Sequence, residues 1–169
     1  MSGFYRNIFR TLNDEKVRYL VVGGVAVNLY GVLRATADLD LIIELTDDDV
    51  LRFARAMEKL GYKPRVPVTI EDFADPEKRK HWIENKHMLV FSLYNPQFRL
   101  GNIDVFVDEP FDFDEAYSRK HVILIDDIEI PLANIDDLIY LKKQAARNQD
   151  LADIEGLEII KHDREGNDG

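Results

Sequence analysis

Two glycines and two aspartates constrain this chain more than any other feature of its sequence. An apolar run over residues 17–22 ends in Gly23 and Gly24, and Asp38 and Asp40 open a second apolar run. The pattern predicts a buried strand, a tight turn into a helix, and a second strand. Because side chains alternate along a strand, both carboxylates project from one edge of the sheet. Acids this close repel each other, and a hard divalent cation relieves that repulsion.

The glycine pair also has a chemical interpretation. A helix that starts directly after Gly23 and Gly24 offers free backbone N–H groups and the positive end of its dipole to a phosphate. The pair is neither a P-loop nor a dinucleotide fingerprint, because no lysine and hydroxyl residue and no third glycine follow at the required spacing. The simpler interpretation is a tight turn, and the simpler interpretation of the aspartates is a solvated strand end. Unpaired charge at the entrance to an apolar strand is unfavourable, which favours a metal role for Asp38 and Asp40.

A third acid strengthens the metal hypothesis. Asp104 interrupts an apolar alternation and faces away from Ile103 and Val105. If its strand pairs with the one that follows Asp38, the three carboxylates come together, and such a set can bind two Mg²⁺ ions, or Mn²⁺, for in-line phosphoryl displacement. The alternative is an outward-facing residue on a one-sided sheet. Asp108 shares the parity of Asp104 but lies nearer the strand end, so it is the weaker candidate.

Composition excludes several classes of function. The chain has 169 residues, no cysteine and a formal charge of −10, which rules out thiolate metal sites and cysteine nucleophiles. The negative charge argues against attachment to nucleic acid through the whole surface, although not through a local basic cleft. No apolar run has the length of a membrane span and the first residues do not resemble a secretory signal, so we expect a cytoplasmic protein with no membrane partner.

The periodicity predicts an α/β (α+β) fold, with a small mixed sheet backed by helices and a C-terminal helical pair. We expect one domain over residues 1–160 and a flexible tail over 161–169. The predicted elements are helices 4–12, 25–30, 47–60, 70–85, 111–119, 135–146 and 151–160, and strands 17–22, 38–44, 62–68, 88–94, 102–107, 122–125 and 128–131.

The ordered motifs resemble the polymerase-beta-type nucleotidyltransferase superfamily. These motifs are Gly23-Gly24, the segment 34–40 (RATADLD) and Ile103-Asp104-Val105. The lysine, arginine and paired aspartates of the last helices (Lys142, Arg147, Asp150 and Asp153) are similar to the small bacterial branch that includes the AbiEii-type toxins. The resemblance runs from about Val17 to Leu157.

The resemblance implies roles for individual residues. Gly23 and Gly24 would contact the phosphates of a nucleoside triphosphate, with Arg34 and Thr36 as further triphosphate contacts. Asp38 and Asp40 would ligate metal, and Asp104 would complete the site beside the attacking hydroxyl. Lys142 would reach a phosphate or the acceptor. Two positions depart from the family pattern: Gly24 stands where many members have serine, and Ala146 where relatives often have glycine.

These residues also have non-catalytic interpretations. On an exposed helix pair, Lys142, Arg147, Asp150 and Asp153 would form ion pairs of small value, and Arg34 and Thr36 would be ordinary loop residues. The basic run 77–81, with Phe73 and Trp82 nearby, is either an RNA-binding flap or, more simply, a solvated helix face.

The sequence therefore predicts an Mg²⁺-dependent nucleotidyltransferase with a hydroxyl acceptor on RNA, protein or a small molecule, related to toxin–antitoxin systems and with an antitoxin as a further partner. Its alternatives are a degenerate nucleotide-binding or interaction protein, and a metal-dependent phosphodiesterase or nuclease.

Overall fold

The apolar segments of the sequence form one mixed sheet in the computed structural model, which describes residues 3–98 and 100–167. Within these ranges the chain forms seven strands and seven α-helices, together with one 3₁₀ turn, Glu71–Ala74. The strands are β1 (Tyr19–Val22), β2 (Leu39–Ile43), β3 (Lys63–Pro64), β4 (Val90–Tyr94), β5 (Ile103–Phe106), β6 (His121–Ile125) and β7 (Ile128–Leu132). The helices are α1 (Gly3–Asp14), α2 (Gly23–Tyr30), α3 (Asp47–Leu60), α4 (Pro76–Lys86), α5 (Phe113–Ser118), α6 (Ile135–Ala145) and α7 (Asn148–Asn167). The predicted fold class is confirmed.

The central strands of the sheet are those that carry the candidate site. The strand order is β3-β4-β5-β2-β1-β7-β6. Strand β2 pairs antiparallel with β1 and parallel with β5. The pairing on which the three-acid hypothesis depends, between the strands of Asp40 and Asp104, is therefore present. All four residues of β1 are buried, as are four of the five in β2. Burial on both faces explains why the residues of these two strands, apart from Asp40, are apolar or aromatic.

The edges of the sheet are short or closed by a turn. Strand β3 spans only two residues at one edge, because Pro64 and Pro67 limit the ladder hydrogen bonds available there. At the other edge β6 and β7 form the predicted hairpin, with Asp126 in the left-handed conformation at φ 55°. Aspartate tolerates this conformation better than most residues, so a two-residue turn suffices.

Local signals set the ends of α3 as the sequence predicts. The Thr46 side chain accepts a hydrogen bond from the backbone N–H of Asp49 at 3.3 Å, and Gly61 ends the helix at φ 75°. One face, which includes Val50, Phe53 and Met57, is buried in the core. Helix α1 packs against α3 and β7.

The C-terminal helical pair differs from the prediction in its bounds. Helix α7 begins at Asn148, so Asp150 lies in its first turn, and the helix continues to Asn167 although we expected it to end at Ile160. The polar end is therefore helical through Asn167. Ala146 joins the two helices at φ 49°, a left-handed conformation that glycine adopts at lower cost, so this turn keeps a glycine-like geometry without glycine. No helix within the described ranges is long and apolar enough to cross a membrane.

Candidate active site

The Gly23-Gly24 turn joins β1 to α2 and touches both of the segments that the sequence singled out. Gly23 has φ +65°, and a Cβ atom there would lie 2.1 Å from Asp40 Oδ2. A Cβ atom on Gly24 would lie 2.6 Å from Thr36 Oγ1 and 3.2 Å from Arg34 Cζ. The absence of both side chains therefore lets the Asp40 carboxylate and the 31–38 loop lie directly against the start of α2.

The start of α2 keeps its backbone N–H groups free of side-chain caps. Val22 occupies the N-cap position in an extended conformation, and its side chain makes no capping hydrogen bond. The first N–H groups of a helix have no intrahelical partner, and they carry the positive end of the helix dipole. This end of α2 is therefore suited to an anion and lies beside the Asp40 carboxylate.

The carboxylates of Asp40 and Asp104 come from adjacent parallel strands at the same level. The two residues are register partners in the pairing of β2 with β5. Asp38 lies one residue before β2 and, like the other two, is half-buried. Ser92 on β4 is the register partner of Asp104 on its other side, and its hydroxyl donates a hydrogen bond to Asp104 Oδ1 at 2.6 Å. The sheet register therefore gathers acids from two separate segments at one edge.

This arrangement disfavours negative charge on the acids. Burial, and then the charges of Asp104 and Asp38, raise the pKa of Asp40 to about 7. Burial also raises the pKa of Asp104, with a contribution from Asp38, against the opposing effects of the Ser92 hydrogen bond and Arg65. Repulsion between neighbouring aspartates thus contributes to both raised pKa values, and a bound cation would relieve that repulsion.

The donor set fits a hard divalent cation by its chemistry. Carboxylate oxygens are the ligands that Mg²⁺ and Mn²⁺ prefer in proteins, and Asp104 and Asp38 raise the pKa of Asp40 in addition to burial, against the opposing effects of Lys142 and Arg147. In the part of the chain that the structure describes, however, no group of three or more His, Cys, Asp or Glu side chains stands in a metal-binding arrangement. The backbone thus brings the acids to one place, whereas their oxygens do not converge on one point.

Lys142 belongs to a buried network of charges on the last two helices. Its Nζ lies 2.7 Å from Asp153 Oδ2 and 3.6 Å from Asp150 Oδ1. Arg34, from the loop over Gly24, pairs with the same Asp153 Oδ2, and Arg147 Nε pairs with Asp150 Oδ2 at 2.9 Å. Lys142 is only 5% exposed, and Asp150 and Asp153 are each 1% exposed. The hypothesis of weak, solvated ion pairs is therefore wrong for these three residues, whereas the Arg147 side chain is largely exposed.

A cleft of about 780 Å³ brings several of these groups together. Its lining includes Gly23 and the polar residues Asp40, Asp104, Lys142, Gln144, Arg147 and Asp150. The cleft is not lined by four of the predicted site residues: Gly24, Arg34, Thr36 and Asp38. Gly24 follows Gly23, which does line it, and Thr36 and Arg34 lie against Gly24. Arg34 also pairs with Asp153. The volume lies within the ordinary range for small-molecule sites.

The structure adds three residues to the site that sequence reasoning did not identify. Ser92 supports Asp104, and its signal was a hydroxyl in an otherwise apolar and aromatic strand. Arg65 lies near Asp104 and donates a hydrogen bond to Asn102 Oδ1 at 2.8 Å. Burial, and then the charges of Asp38 and Asp40, raise the pKa of Tyr5 on α1. No local pattern linked α1 to the site.

The RNA-binding flap has no support in the structure. Trp82 is buried and stacks on Phe91 at a ring separation of 5.6 Å, and Phe73 is buried as well. Arg79 donates a hydrogen bond to the backbone oxygen of Phe73 at 2.7 Å, and Lys78 pairs with Asp72. The aromatic side chains are thus core residues, and α4 presents the solvated face that was the simpler interpretation.

Comparison with known proteins places the fold. No protein-family model matches the chain, and no curated protein matches it significantly. Among solved structures, it is similar to the lincosamide antibiotic adenylyltransferase LnuA, with 17% identity and a TM-score of 0.64 over 95% of this chain and 98% of that one. It is also similar to an antigenic nucleotidyltransferase-like protein from Paracoccidioides brasiliensis (17% identity, TM-score 0.55, 89% and 71% of the two chains) and to the antibiotic-resistance factor ANT(2'')-Ia (13%, 0.55, 97% and 90%). The chain has the nucleotidyltransferase fold. At these identities the likeness concerns the fold, and the AbiEii-like branch stays a prediction.

Proposed function

We propose that this protein is an Mg²⁺-dependent nucleotidyltransferase that moves a nucleoside monophosphate from a nucleoside triphosphate to a hydroxyl acceptor. The observation that carries the proposal is the register of Asp40 with Asp104, beside the uncapped start of α2. The similarity of the fold to adenylyltransferases supports it.

The donor nucleotide would bind at the start of α2. Free N–H groups after Gly23 suit the phosphates, and Arg34, packed over Gly24, brings a guanidinium to the same place. Lys142 adds a buried ammonium at the cleft. Asp153 pairs with both cations, so it holds them in place while limiting the net positive charge before a triphosphate arrives.

Asp38, Asp40 and Asp104 would hold the metal, with two ions as the expected number and Mn²⁺ as a substitute for Mg²⁺. When bound, the ions would neutralise the developing charge on the transferred phosphoryl group and acidify the acceptor hydroxyl. Asp104, oriented by Ser92, would accept a hydrogen bond from that hydroxyl and align it with the phosphorus.

Substitution of the acids tests the proposal. Asp38→Asn and Asp104→Asn should each lower nucleotidyl transfer by about 10³-fold or more, because each removes one ligand charge, while the Tm stays within about 2 °C. The measurement is pyrophosphate release from NTP and Mg²⁺ in the presence of a cell extract as the source of acceptor. Asp108→Asn is the matched control, since Asp108 follows β5 but is exposed and does not line the cleft.

Full activity in Asp104→Asn would contradict the three-carboxylate site. Pyrophosphate release that requires an acceptor separates transfer from the phosphodiesterase alternative, and NTP binding without any release would indicate the degenerate binding protein. The toxin role, the antitoxin partner and the cytoplasmic location stay predictions.

A further inference from the structure

One wall of the cleft is apolar and exposed. Leu89, just before β4, and Tyr140, on α6, both line the cleft, and they are 74% and 47% exposed. Phe106 also lines it and lies two residues after Asp104 on β5, so its side chain is on the same face of the sheet as the carboxylate. Pro110 continues the wall. An apolar surface that begins beside the catalytic acids therefore runs to the mouth of the cleft.

Packing of the core does not explain this wall, because Leu89 and Tyr140 remain exposed. Large apolar side chains that stay exposed in a concave site gain free energy when a ligand covers them, and contiguous patches of this kind mark binding surfaces. The start of α2 and the Lys142 network offer the polar groups that suit a triphosphate. Apart from the Tyr140 hydroxyl, the side chains of the wall are apolar, so the wall suits the other substrate.

The charges around the wall disfavour a polyanion. Asp108 and Glu109 are exposed between Phe106 and Pro110, and they add to the charge of Asp40 and Asp104. Lys142 and Arg147 line the cleft and pair with Asp153 and Asp150. Lys142 would also serve the triphosphate, so the lining offers no further row of cations for the backbone of a second polyanion. An RNA acceptor needs a row of cations along its backbone and several exposed aromatic side chains for its bases. Tyr140 offers one exposed ring, whereas Phe73 and Trp82, beside the basic α4, are buried.

We propose that the acceptor is an amphipathic small molecule, neutral or cationic, with a hydroxyl group next to an apolar ring or chain. This inference rests on the proposed function. The hydroxyl would lie beside Asp104, and the apolar part would cover Phe106, Leu89 and Tyr140. In the transfer, the hydroxyl oxygen forms a bond to the α-phosphorus of the NTP as the bond from that phosphorus to the oxygen bridging to the β-phosphate breaks. Pyrophosphate leaves, and the hydroxyl proton passes through Asp104 to solvent.

A labelling experiment tests the acceptor class. The full chain, Mg²⁺ and each α-³²P-labelled NTP are incubated with three pools from cells: deproteinised RNA, RNA-free protein, and a methanol extract of small molecules. We expect label in the methanol extract, in products retained on a reversed-phase column. Label in the RNA or protein pool alone would overturn the acceptor assignment and leave the proposed function intact. Label in no pool, without pyrophosphate release, would overturn both.

Variants of the wall give the second measurement. Leu89→Asp and Tyr140→Ala should each raise KM for the labelled acceptor by about tenfold or more, because each removes apolar contact, and KM for NTP should stay within about twofold. Leu124→Asp is the matched control, since Leu124 is 67% exposed on the β6 edge strand and does not line the cleft. An unchanged acceptor KM in both wall variants would overturn the assignment.

Discussion

Asp49 is a buried carboxylate with one unpartnered oxygen. Its Oδ1 accepts a hydrogen bond from the backbone N–H of Arg18 at 3.0 Å, whereas its Oδ2 is buried with no hydrogen-bond partner among the described residues. The residue is 1% exposed. Asp49 lies near the end of β2 that is followed by Glu44, which is the opposite end of that strand from Asp40.

The environment of Asp49 favours its neutral form. Burial raises the pKa of Asp49 to about 6, and Glu44 adds to this, against the hydrogen bond from Arg18. Its position in the first turn of α3 favours the charged form by only about 0.5–1 kcal/mol, less than the effect of burial. The pKa is higher in the folded chain than in the unfolded one. The stability from the neutral carboxyl is therefore full below about pH 4 and is lost as the pH rises through about 6.

We expect the free energy of unfolding of the unmodified protein, measured relative to Asp49→Asn, to fall by up to about 3 kcal/mol between pH 4 and pH 7. Urea unfolding at each pH measures it. Asp48→Asn is the control, because Asp48 is exposed in the same helical turn and its substitution should show no such trend. A difference between the unmodified protein and Asp49→Asn that stays constant with pH would contradict the argument.

Gly24 shows how far a sequence motif predicts the role of a single residue. The motif predicted a turn glycine or a phosphate contact, and the structure supplies a third reason, which is the contact with Thr36 and Arg34. A serine at this position would place its Cβ atom 2.6 Å from Thr36 Oγ1, so Thr36 would have to move. Likewise, the sequence places Asp49 in the first turn of the predicted helix 47–60 but does not indicate its burial, since its hydrogen-bond partner, Arg18, lies 31 residues away. Such packing leaves no local pattern.

At the scale of elements, the ion pairs between α6 and α7 differ in burial. The pair of Lys142 with Asp153 is almost fully buried, whereas Lys161 pairs with Asp136 at 2.7 Å with 40% and 66% of the two side chains exposed. Removing one partner of a buried pair leaves an uncompensated charge and costs about 3–5 kcal/mol, whereas an exposed pair contributes about 1 kcal/mol or less. The same two helices thus contain a test pair and its control.

Asp153→Ala should lower the free energy of unfolding by about 3–5 kcal/mol, and Asp136→Ala by about 1 kcal/mol or less, as measured by urea unfolding. The double variant Lys142→Met with Asp153→Leu should recover part of the lost stability, because it removes both charges of the closest pair but leaves Arg34 without its carboxylate and Asp150 without Lys142. Equal losses in Asp153→Ala and Asp136→Ala would show that the network is not desolvated.

The elements themselves were largely predictable. Apolar runs with glycine and proline boundaries predict most strands and helices, and the alternation around Asp104 predicts which face of its strand carries the carboxylate. The pairing of that strand with the strand of Asp40 was only a condition of the hypothesis, because no local pattern determines which strands pair. The end of α7 was not predictable, because its last residues are polar on every face and their helicity follows from the preceding turns. Arg34 and Asp153 meet across 119 residues, a contact that only the packing of the 31–38 loop against α7 creates.

At the scale of the whole molecule, the acid cluster lies within a chain that is already negatively charged. The protein carries a formal charge of −10, and repulsion within the acid cluster of Asp38, Asp40 and Asp104 adds a local cost. A cation bound at that cluster stabilises the folded state by mass action, since the unfolded chain lacks the site.

We expect Mg²⁺ at about 100 times its Kd to add about 2.7 kcal/mol to the free energy of unfolding and to raise Tm by about 5–10 °C. Thermal unfolding with and without EDTA measures this, with NaCl at matched ionic strength as the control for screening. The rise should disappear in Asp104→Asn. A rise of equal size in NaCl, or in that variant, would mean that Mg²⁺ acts on the surface charge alone.

The first turn of α1 has a practical consequence for handling the protein. Burial, and then the charges of Asp38 and Asp40, raise the pKa of Tyr5, and the ring of Phe4 fills the space beside Gly101. The first turn of α1 therefore lies near the edge of the sheet that carries the acids. The C-terminal end of α7, at Asn167, instead lies about 20 Å from Asp153 along the helix axis. An affinity tag or fluorescent fusion joined ahead of α1 would therefore start nearer the acids than one joined beyond α7.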